Sequence, residues 1–331
     1  MPPPPLPAGK LPGALLQQLL ATVPAGDPAV RLGPALGEDA AVIDVPAGAL
    51  VAATDPITLT ASDAGRYAVL INANDVAVCG VAPRWFLAAV LLPTGTIEDD
   101  VRALVGQMTA TLDEVGASLV GGHTEITAAV SAPVVVGQML GLADDGEVVT
   151  TGGAAAGERL VQIGPAPVEG AAVLAAEAAD ELAHLDAEVL RAAAGAVDDP
   201  GISVVTAALR AAELGATAMH DPTEGGLAAG LHELASASRV ALELDGDVVS
   251  WFAPGLAVCH ALACDPWATL ASGCVLAAFP AGVADAAVST LTAEGHPASV
   301  IGRLVAGEGV QVDGAPLPWP ARDELARRLT E

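Results

Sequence analysis

Basic residues are scarce in this chain. Its 331 residues include 13 Lys and Arg against 40 Asp and Glu, a formal net charge of −27, and Lys10 is the only lysine. A surface this acidic repels polyphosphate backbones, which argues against nucleic-acid partners. A small anionic ligand stays compatible where metal ions or backbone amides neutralise it locally. Aromatic residues make up only 2%, so the core has to be built mainly from Ala, Val and Leu. The four cysteines, Cys79, Cys259, Cys264 and Cys274, form no CxxC pair. The spacing of Cys259 and Cys264 around His260 is not that of a zinc site, and small buried thiols are the simpler reading. Disulfides are not expected in a reducing compartment. Long apolar runs are missing too. The longest uncharged stretch lies between Asp265 and Asp285 and contains Ser272, Gly273 and Pro280. A membrane span needs about 20 strongly apolar residues, so this stretch reads as a buried strand followed by a turn, and no membrane partner is expected. The segment MPPPPLPAGK has neither a basic n-region nor an apolar h-region, so no secretory signal is expected and the cytoplasm is the expected location. Also missing are the G-x-x-x-x-G-K-[ST] loop, the G-x-G-x-x-G fingerprint and the G-x-S-x-G elbow, which excludes a Walker-type phosphate site and a hydrolase elbow.

What is present is a chain that is 53% hydrophobic, enough for a large core and long enough for two domains. Residues 1–12 read as a flexible proline-rich tail, 13–152 as a first domain and 153–331 as a second, with the small-residue segment GGAAAG near 150–157 as the hinge. Apolar spacing predicts a helix over 12–22, strands over 40–43 and 49–55, a helix over 64–79, a strand over 85–93 and a helix over 97–116. ASLVGGHTE reads as strand then turn, and APVVVGQMLGLA as a further strand. In the second half the pattern predicts a strand over 160–163, helices over 168–196 and 200–214, and a helix over 227–236 opened by the turn HDPTEGGL. Strands over 241–244 and 274–279, a helix over 282–294 and a strand over 298–304 complete it. Strands interleaved with helices in both halves give an α/β (α+β) fold class.

Five short segments carry the candidate chemistry: Gly37-Glu38-Asp39-Ala40, Thr54-Asp55-Pro56, Asn74-Asp75, Gly121-Gly122-His123-Thr124-Glu125 and His220-Asp221-Pro222-Thr223-Glu224-Gly225-Gly226. Carboxylates converging from strand ends are what Mg²⁺ requires, since it takes hard oxygen ligands in octahedral geometry and commonly bridges to phosphates. Adjacent glycines let backbone amides approach phosphate oxygens. Each segment also suits an ordinary role. Asp39 and Asp55 fit turn acids, Asp75 a solvated helix residue, His123 a satisfied turn histidine and Asp221 an N-cap.

Order and spacing add more than any one segment. GEDAAVID, TDPI, GRYAVLINANDVAVCGVAPRWF, LLP, GGHTE, TTGGAAAGERLV, VEGAAVLA and DPTEGGLA follow one another in a way that resembles the aminoimidazole ribonucleotide synthetase-like superfamily. That group includes the synthetase itself, thiamine monophosphate kinase, selenophosphate synthetase and the hydrogenase maturation factor that makes a cyanide ligand. GKL, GEDAAVID, TDPI, NDVA…G-x-x-P and DPT-x-GGL are most similar to the maturation-factor branch. The resemblance, which covers about residues 10 to 305, implies a two-domain subunit. It pairs an N-terminal α/β domain, whose sheet meets its twin in a homodimer, with a C-terminal domain of ferredoxin-like arrangement, and ATP with Mg²⁺ in the cleft between them. It implies Asp39, Asp55 and Asp75 as metal ligands, with Asn72 and Asn74 shaping that site. It implies Gly121, Gly122, His123 and Thr124 as nucleotide contacts, with Asp221 and Gly225-Gly226 closing the site.

The departures bear on the acceptor. The maturation factor acts through a cysteine at its extreme C-terminus, whereas this chain ends Arg327-Arg328-Leu329-Thr330-Glu331. His123 stands where the kinase and the maturation factor have Asp, and GGH is similar to selenophosphate synthetase, although no cysteine neighbours Lys10 here. Glu224 stands where the maturation factor has Arg. The resemblance therefore implies ATP- and Mg²⁺-dependent phosphoryl transfer to an unidentified small acceptor. The alternatives are a kinase similar to thiamine monophosphate kinase, and a non-catalytic nucleotide-binding partner of the maturation type.

Overall fold

The computed structural model describes residues 9–10, 13–23, 27–32, 42–46, 48–58, 63–144 and 146–330. The chain divides into two units. The first comprises Met1–Val76 and Val81–Val148, and the second Ala77–Gly80 and Val149–Glu331.

The first unit runs β1 (Gly9–Lys10), α1 (Gly13–Leu20), β2 (Val30–Leu32), β3 (Val42–Ile43), β4 (Ala49–Ile57), α2 (Ala64–Ala77, its last residue counted with the second unit), β5 (Pro83–Pro93), α3 (Glu98–Val115), β6 (Ser118–Thr127) and β7 (Val134–Ala143). Five strands form one sheet in the order β1-β6-β5-β7-β4, with β5 and β6 parallel and the other pairs antiparallel. Trp85, Phe86, Leu92, Ile126 and Met139 are fully buried. Helix α3 starts where the Asp100 carboxylate accepts the Ile97 amide at 3.1 Å and stops at Gly116, whose φ of 73° few other residues adopt without strain. Gly65 lets α2 lie against α3, since a Cβ there would meet the Leu104 carbonyl oxygen at 2.6 Å.

The second unit runs β8 (Arg159–Ile163), α4 (Glu169–Glu177), α5 (Ala179–Leu182), α6 (Ala187–Ala194), α7 (Val205–Glu213), β9 (Ala218–His220), α8 (Gly226–Ser238), β10 (Ala241–Leu244), α9 (Ala253–Ala261), β11 (Val275–Phe279), α10 (Ala284–Ala293), β12 (Ala298–Val305), β13 (Val310–Val312), β14 (Ala315–Pro316) and α11 (Glu324–Thr330). The seven strands are ordered β14-β13-β10-β12-β8-β11-β9. Leu227, Leu231 and Leu234 of α8 join Leu160, Leu242, Leu276, Ile301 and Leu304 of the sheet in one buried cluster. The α/β class and the two-unit organisation are those read from the sequence.

Several elements differ from expectation. The single helix over 168–196 is three helices, and Asp186 restarts the last by accepting the Glu188 amide at 2.7 Å. The helix over 200–214 begins only at Val205, because Pro200 and Gly201 occupy a wide turn over Val197–Gly201. The strand expected over 49–55 continues through Pro56 to Ile57. A proline fits there because β4 lies at the sheet edge. Within the tail expected over 1–12, Gly9 and Lys10 pair with Ile126 and Glu125.

Among the described residues, no helix is long and apolar enough to cross a membrane.

Candidate functional site

In the first unit Asp55 of β4 is tied to Asn72 of α2. The Asp55 amide donates to Asn72 Oδ1 at 2.8 Å, and Asn72 Nδ2 donates to the Asp55 carbonyl at 3.3 Å and the Ala68 carbonyl at 2.8 Å. Asn72 is wholly buried. Its amide is therefore spent on backbone, which ties Asp55 to α2. Gly137 sits opposite Asp55 on β7, where a Cβ would meet Asn72 Nδ2 at 2.4 Å. Thr54 Oγ1 donates to the Gly137 carbonyl at 2.8 Å. Asp75 is half-buried three residues beyond Asn72, on the same helix face. Asn74 is wholly buried as well. The two acids Asp55 and Asp75 supply hard oxygen donors of the kind Mg²⁺ takes. The third expected ligand, Asp39, lies outside the described residues, and among those described no group of three or more His, Cys, Asp or Glu is arranged to hold a metal ion.

The segment Gly121-Gly122-His123-Thr124-Glu125 is not a turn. It continues β6, pairing in parallel with Leu87 to Leu91 of β5. Gly122 has to be a glycine here, since a Cβ would meet the Ala88 carbonyl oxygen at 2.3 Å. His123 and Glu125 share one face, with Nε2 of the imidazole 3.2 Å from a carboxylate oxygen, and Gly122 and His123 are exposed. Thr124 is half-buried between them.

In the second unit Asp221 is buried directly after β9, and the turn from Asp221 to Gly226 opens α8. Gly225 and Gly226 have φ of 79° and 66°. Gly226 is also hemmed in, since a Cβ would lie 2.6 Å from the carbonyl oxygens of both Trp267 and Thr269. The Thr223 carbonyl accepts the Gly226 amide at 3.0 Å and the Ala271 amide at 3.2 Å. The segment 269–272 is tied in turn to the start of α4, through Glu169 N to the Ser272 carbonyl at 3.3 Å and Gly170 N to the Leu270 carbonyl at 3.0 Å.

Two acids that sequence reasoning passed over belong to this arrangement. Asp323 caps α11 by accepting the Leu325 amide at 2.7 Å, and its other oxygen accepts the Gly225 amide at 2.7 Å. Its carboxyl is raised from the usual range chiefly by burial, against the pull of the backbone amides. An Asp immediately before Glu-Leu-Ala-Arg carries an N-cap signal that was available in the sequence. Glu169 is buried, which pushes its carboxyl up to about 7. The Ser272 hydroxyl opposes this, and the negative charges of Glu224 and Asp323 add to it. Glu169 stands in the quoted motif VEGAAVLA, but nothing in an Ala-rich run marks one acid as buried.

The cysteines are poorly placed for nucleophilic work. Burial pushes Cys259 up to about 11 and Cys274 up to about 12, and raises Cys264 as well. All four are free, and Cys79 is half-buried.

Residues 37–143 match the N-terminal domain of AIR synthase related proteins, and residues 155–314 match the C-terminal domain of the same proteins. The carbamoyl dehydratase HypE of Rhizobium leguminosarum bv. viciae is 27% identical over 307 residues, covering 88% of this chain and 85% of that one. The carbamoyl dehydratase HypE of Cupriavidus necator is 29% identical over 269 residues, covering 79% and 74%. The crystal structure of HypE from E. coli superposes with a TM-score of 0.77 at 22% identity, covering 95% of this chain and 98% of that one. The thiamine-monophosphate kinase of Stenotrophomonas maltophilia K279a superposes with a TM-score of 0.72 at 23% identity, covering 91% and 95%.

Proposed function

Because the chain belongs to the family of AIR synthase related proteins, we propose that it binds ATP with Mg²⁺ and transfers the γ-phosphoryl group to an oxygen of a small acceptor. The observation that carries the reading is the buried Asn72, which clamps the Asp55 backbone to α2 one turn from Asp75. A carboxylate held through its own main chain is pre-positioned, so little ordering cost falls on the ligand when it binds. Asp55 and Asp75 would hold the metal, with Asp39 as a further ligand. Mg²⁺, when bound, neutralises charge on the phosphate oxygens. Gly121, Gly122, His123 and Thr124 on β6 are assigned to nucleotide contact, as are Asp221, Gly225 and Gly226, with Asn72 and Asn74 as the buried supports.

The acceptor oxygen forms a bond to the γ-phosphorus as the bond to the β–γ bridging oxygen breaks, ADP leaves, and any proton on the acceptor passes to water. Such chemistry asks for positioning and charge neutralisation more than for a nucleophile of the protein's own. That agrees with the buried, high-pKa thiols of the second unit. Relatives named as carbamoyl dehydratases and a structural neighbour named as a thiamine-monophosphate kinase point to carbamoyl and phosphorylated alcohol compounds as the acceptors to try first. The protein is also assigned as a homodimer through the first unit. Edge strand β4 exposes alternate residues, and Leu50 is 52% exposed.

Isothermal titration with MgATP, followed by ADP release across carbamoyl and phosphorylated alcohol acceptors, tests the reading. Binding that requires Mg²⁺ and turnover with one acceptor support it. Binding with no turnover on any acceptor converts it to a nucleotide-binding partner without chemistry, and absence of binding removes it. Light scattering that finds a monomer at micromolar concentration would remove the dimer.

A further inference from the structure

The second unit carries an arginine pair that the proposed nucleotide chemistry does not use. Arg159 opens β8 and stands directly opposite Arg303 of β12 in an antiparallel pair, so the two side chains leave the same face of the sheet with Cβ atoms about 5 Å apart. A bulge between Val300 and Gly302 creates this register. Without the extra residue Arg159 would face Gly302, and the two guanidinium groups would lie on opposite faces. Like charges set opposite each other destabilise a sheet, in a chain that has 12 arginines and 40 acids to distribute.

The acid that could quench the pair quenches half of it. Glu243, beside Arg303 on β10, accepts from Arg303 Nε at 2.8 Å and from one terminal nitrogen at 2.6 Å, both through the same oxygen. The remaining N–H groups of Arg303 stay available. Among the described residues no carboxylate pairs with Arg159, which is exposed. The neighbouring Glu158 is engaged elsewhere, accepting from Thr217 Oγ1 at 2.7 Å and from the Ala155 amide at 3.0 Å.

Two hollows adjoin the pair. One, of about 420 Å³, reaches Glu243 and Asp245 and so contains its own negative charge. The other, of about 490 Å³, is bounded by Arg159, Arg303 and uncharged small residues such as Ala156, Gly157, Ala281 and Ala306. No acid lines it. We propose that this second hollow is a binding site for a phosphate-type dianion, bridged by the guanidinium groups of Arg159 and Arg303. A tetrahedral dianion takes parallel N–H donors from both groups and relieves their mutual repulsion in the same step. Low-dielectric walls without acids strengthen that attraction within an otherwise repelling surface. Free phosphate and a phosphorylated metabolite share this chemistry.

The test is calorimetric titration at low ionic strength without Mg²⁺, using inorganic phosphate, glycerol phosphate and malonate as probes. Phosphate is expected to bind in the millimolar range. Arg159→Gln and Arg303→Gln are each expected to weaken it roughly tenfold, and Ala281→Asp to abolish it, with circular dichroism unchanged. Asp75→Asn is expected to leave phosphate binding as it is. Glycerol phosphate binding more tightly than phosphate would mark a metabolite as the occupant, and the reverse would mark the free ion. No heat from either phosphate probe would overturn the proposal. So would wild-type affinity in Arg159→Gln, equal affinity for malonate, or loss of phosphate binding in Asp75→Asn. None of these outcomes depends on whether the protein turns over ATP.

Discussion

Asp323 accepts the Gly225 amide at 2.7 Å with one carboxylate oxygen while the other accepts the Leu325 amide at 2.7 Å. One side chain thus caps the C-terminal helix and anchors a turn nearly a hundred residues away in sequence. Gly225 is left-handed, and its amide is met by this carboxylate. Asp323→Ala is expected to cost about 2–3 kcal/mol, a lost cap plus a buried donor left unmet. Asp323→Asn, which keeps one acceptor, should lose less. Urea denaturation of the two variants gives the comparison.

Asn72 should behave as a support for the metal site rather than as a ligand of it. Asn72→Ala removes three hydrogen bonds to buried backbone, for an expected loss of about 2–4 kcal/mol of stability. It should also weaken MgATP binding through the shift of Asp55. Asp75→Asn should lower MgATP affinity at least severalfold while costing less stability than Asn72→Ala. Thermal melts and titrations on both variants separate the roles. A melting point for Asn72→Ala equal to wild type would remove the support role.

Glu169 predicts a pH dependence with a definite sign. Its carboxyl titrates at about 7 in the folded protein against an ordinary value of 4.5. The protonated form is therefore the one the fold favours. Its contribution is complete below pH 4.5, is lost as pH rises towards 7, and is constant above that. The whole change is about 3 kcal/mol at 1.36 kcal/mol per pH unit. Glu169→Gln keeps the shape without the ionisation. Wild-type minus variant stability, measured by denaturation between pH 4 and 9 (roughly the range that brackets both values), should fall across that window and then flatten. A flat difference would show that Glu169 stays ionised.

The cysteines give a prediction of no effect. With Cys259, Cys264 and Cys274 buried and held as thiols, thiolate attack has no ready participant among them. A variant with all four changed to Ala or Ser, checked for intact folding, should keep both MgATP binding and ATP turnover. Turnover lost while binding persists would return a cysteine to the chemistry.

The alternating pattern of Pro83–Pro93 and the 3.6-residue spacing of Val101, Leu104, Met108 and Leu112 were legible because each buries a single, regular face. The acids at 55 and 75 stand out in the sequence as candidate ligands, and Asn72 as part of their surroundings. What the sequence did not disclose was that Asn72 turns inward and spends its amide on backbone, because that depends on Gly137 from a distant strand. Gly121-Gly122 has the composition of a turn. It is extended instead, and the Ala88 backbone lies where a side chain at Gly122 would go, a contact between strands that no local pattern contains. Glu169 and Asp323 were missed for the same reason, since each takes its environment from segments far away in the chain.

Gly137 touches no proposed ligand, yet any side chain placed there would displace Asn72 and with it the strand segment that carries Asp55. The three positions are thus inherited as one character. A lineage that gives up the site is free to lose Asp55 first, but a larger residue at 137 needs more than a small residue at 72, since the Ala68 carbonyl oxygen of α2 would also lie 2.8 Å from its Cβ. Among descendants of a common ancestor, a side chain at 137 should therefore appear only where residue 72 has changed and α2 has also moved away from β7, a fossil of a site already given up.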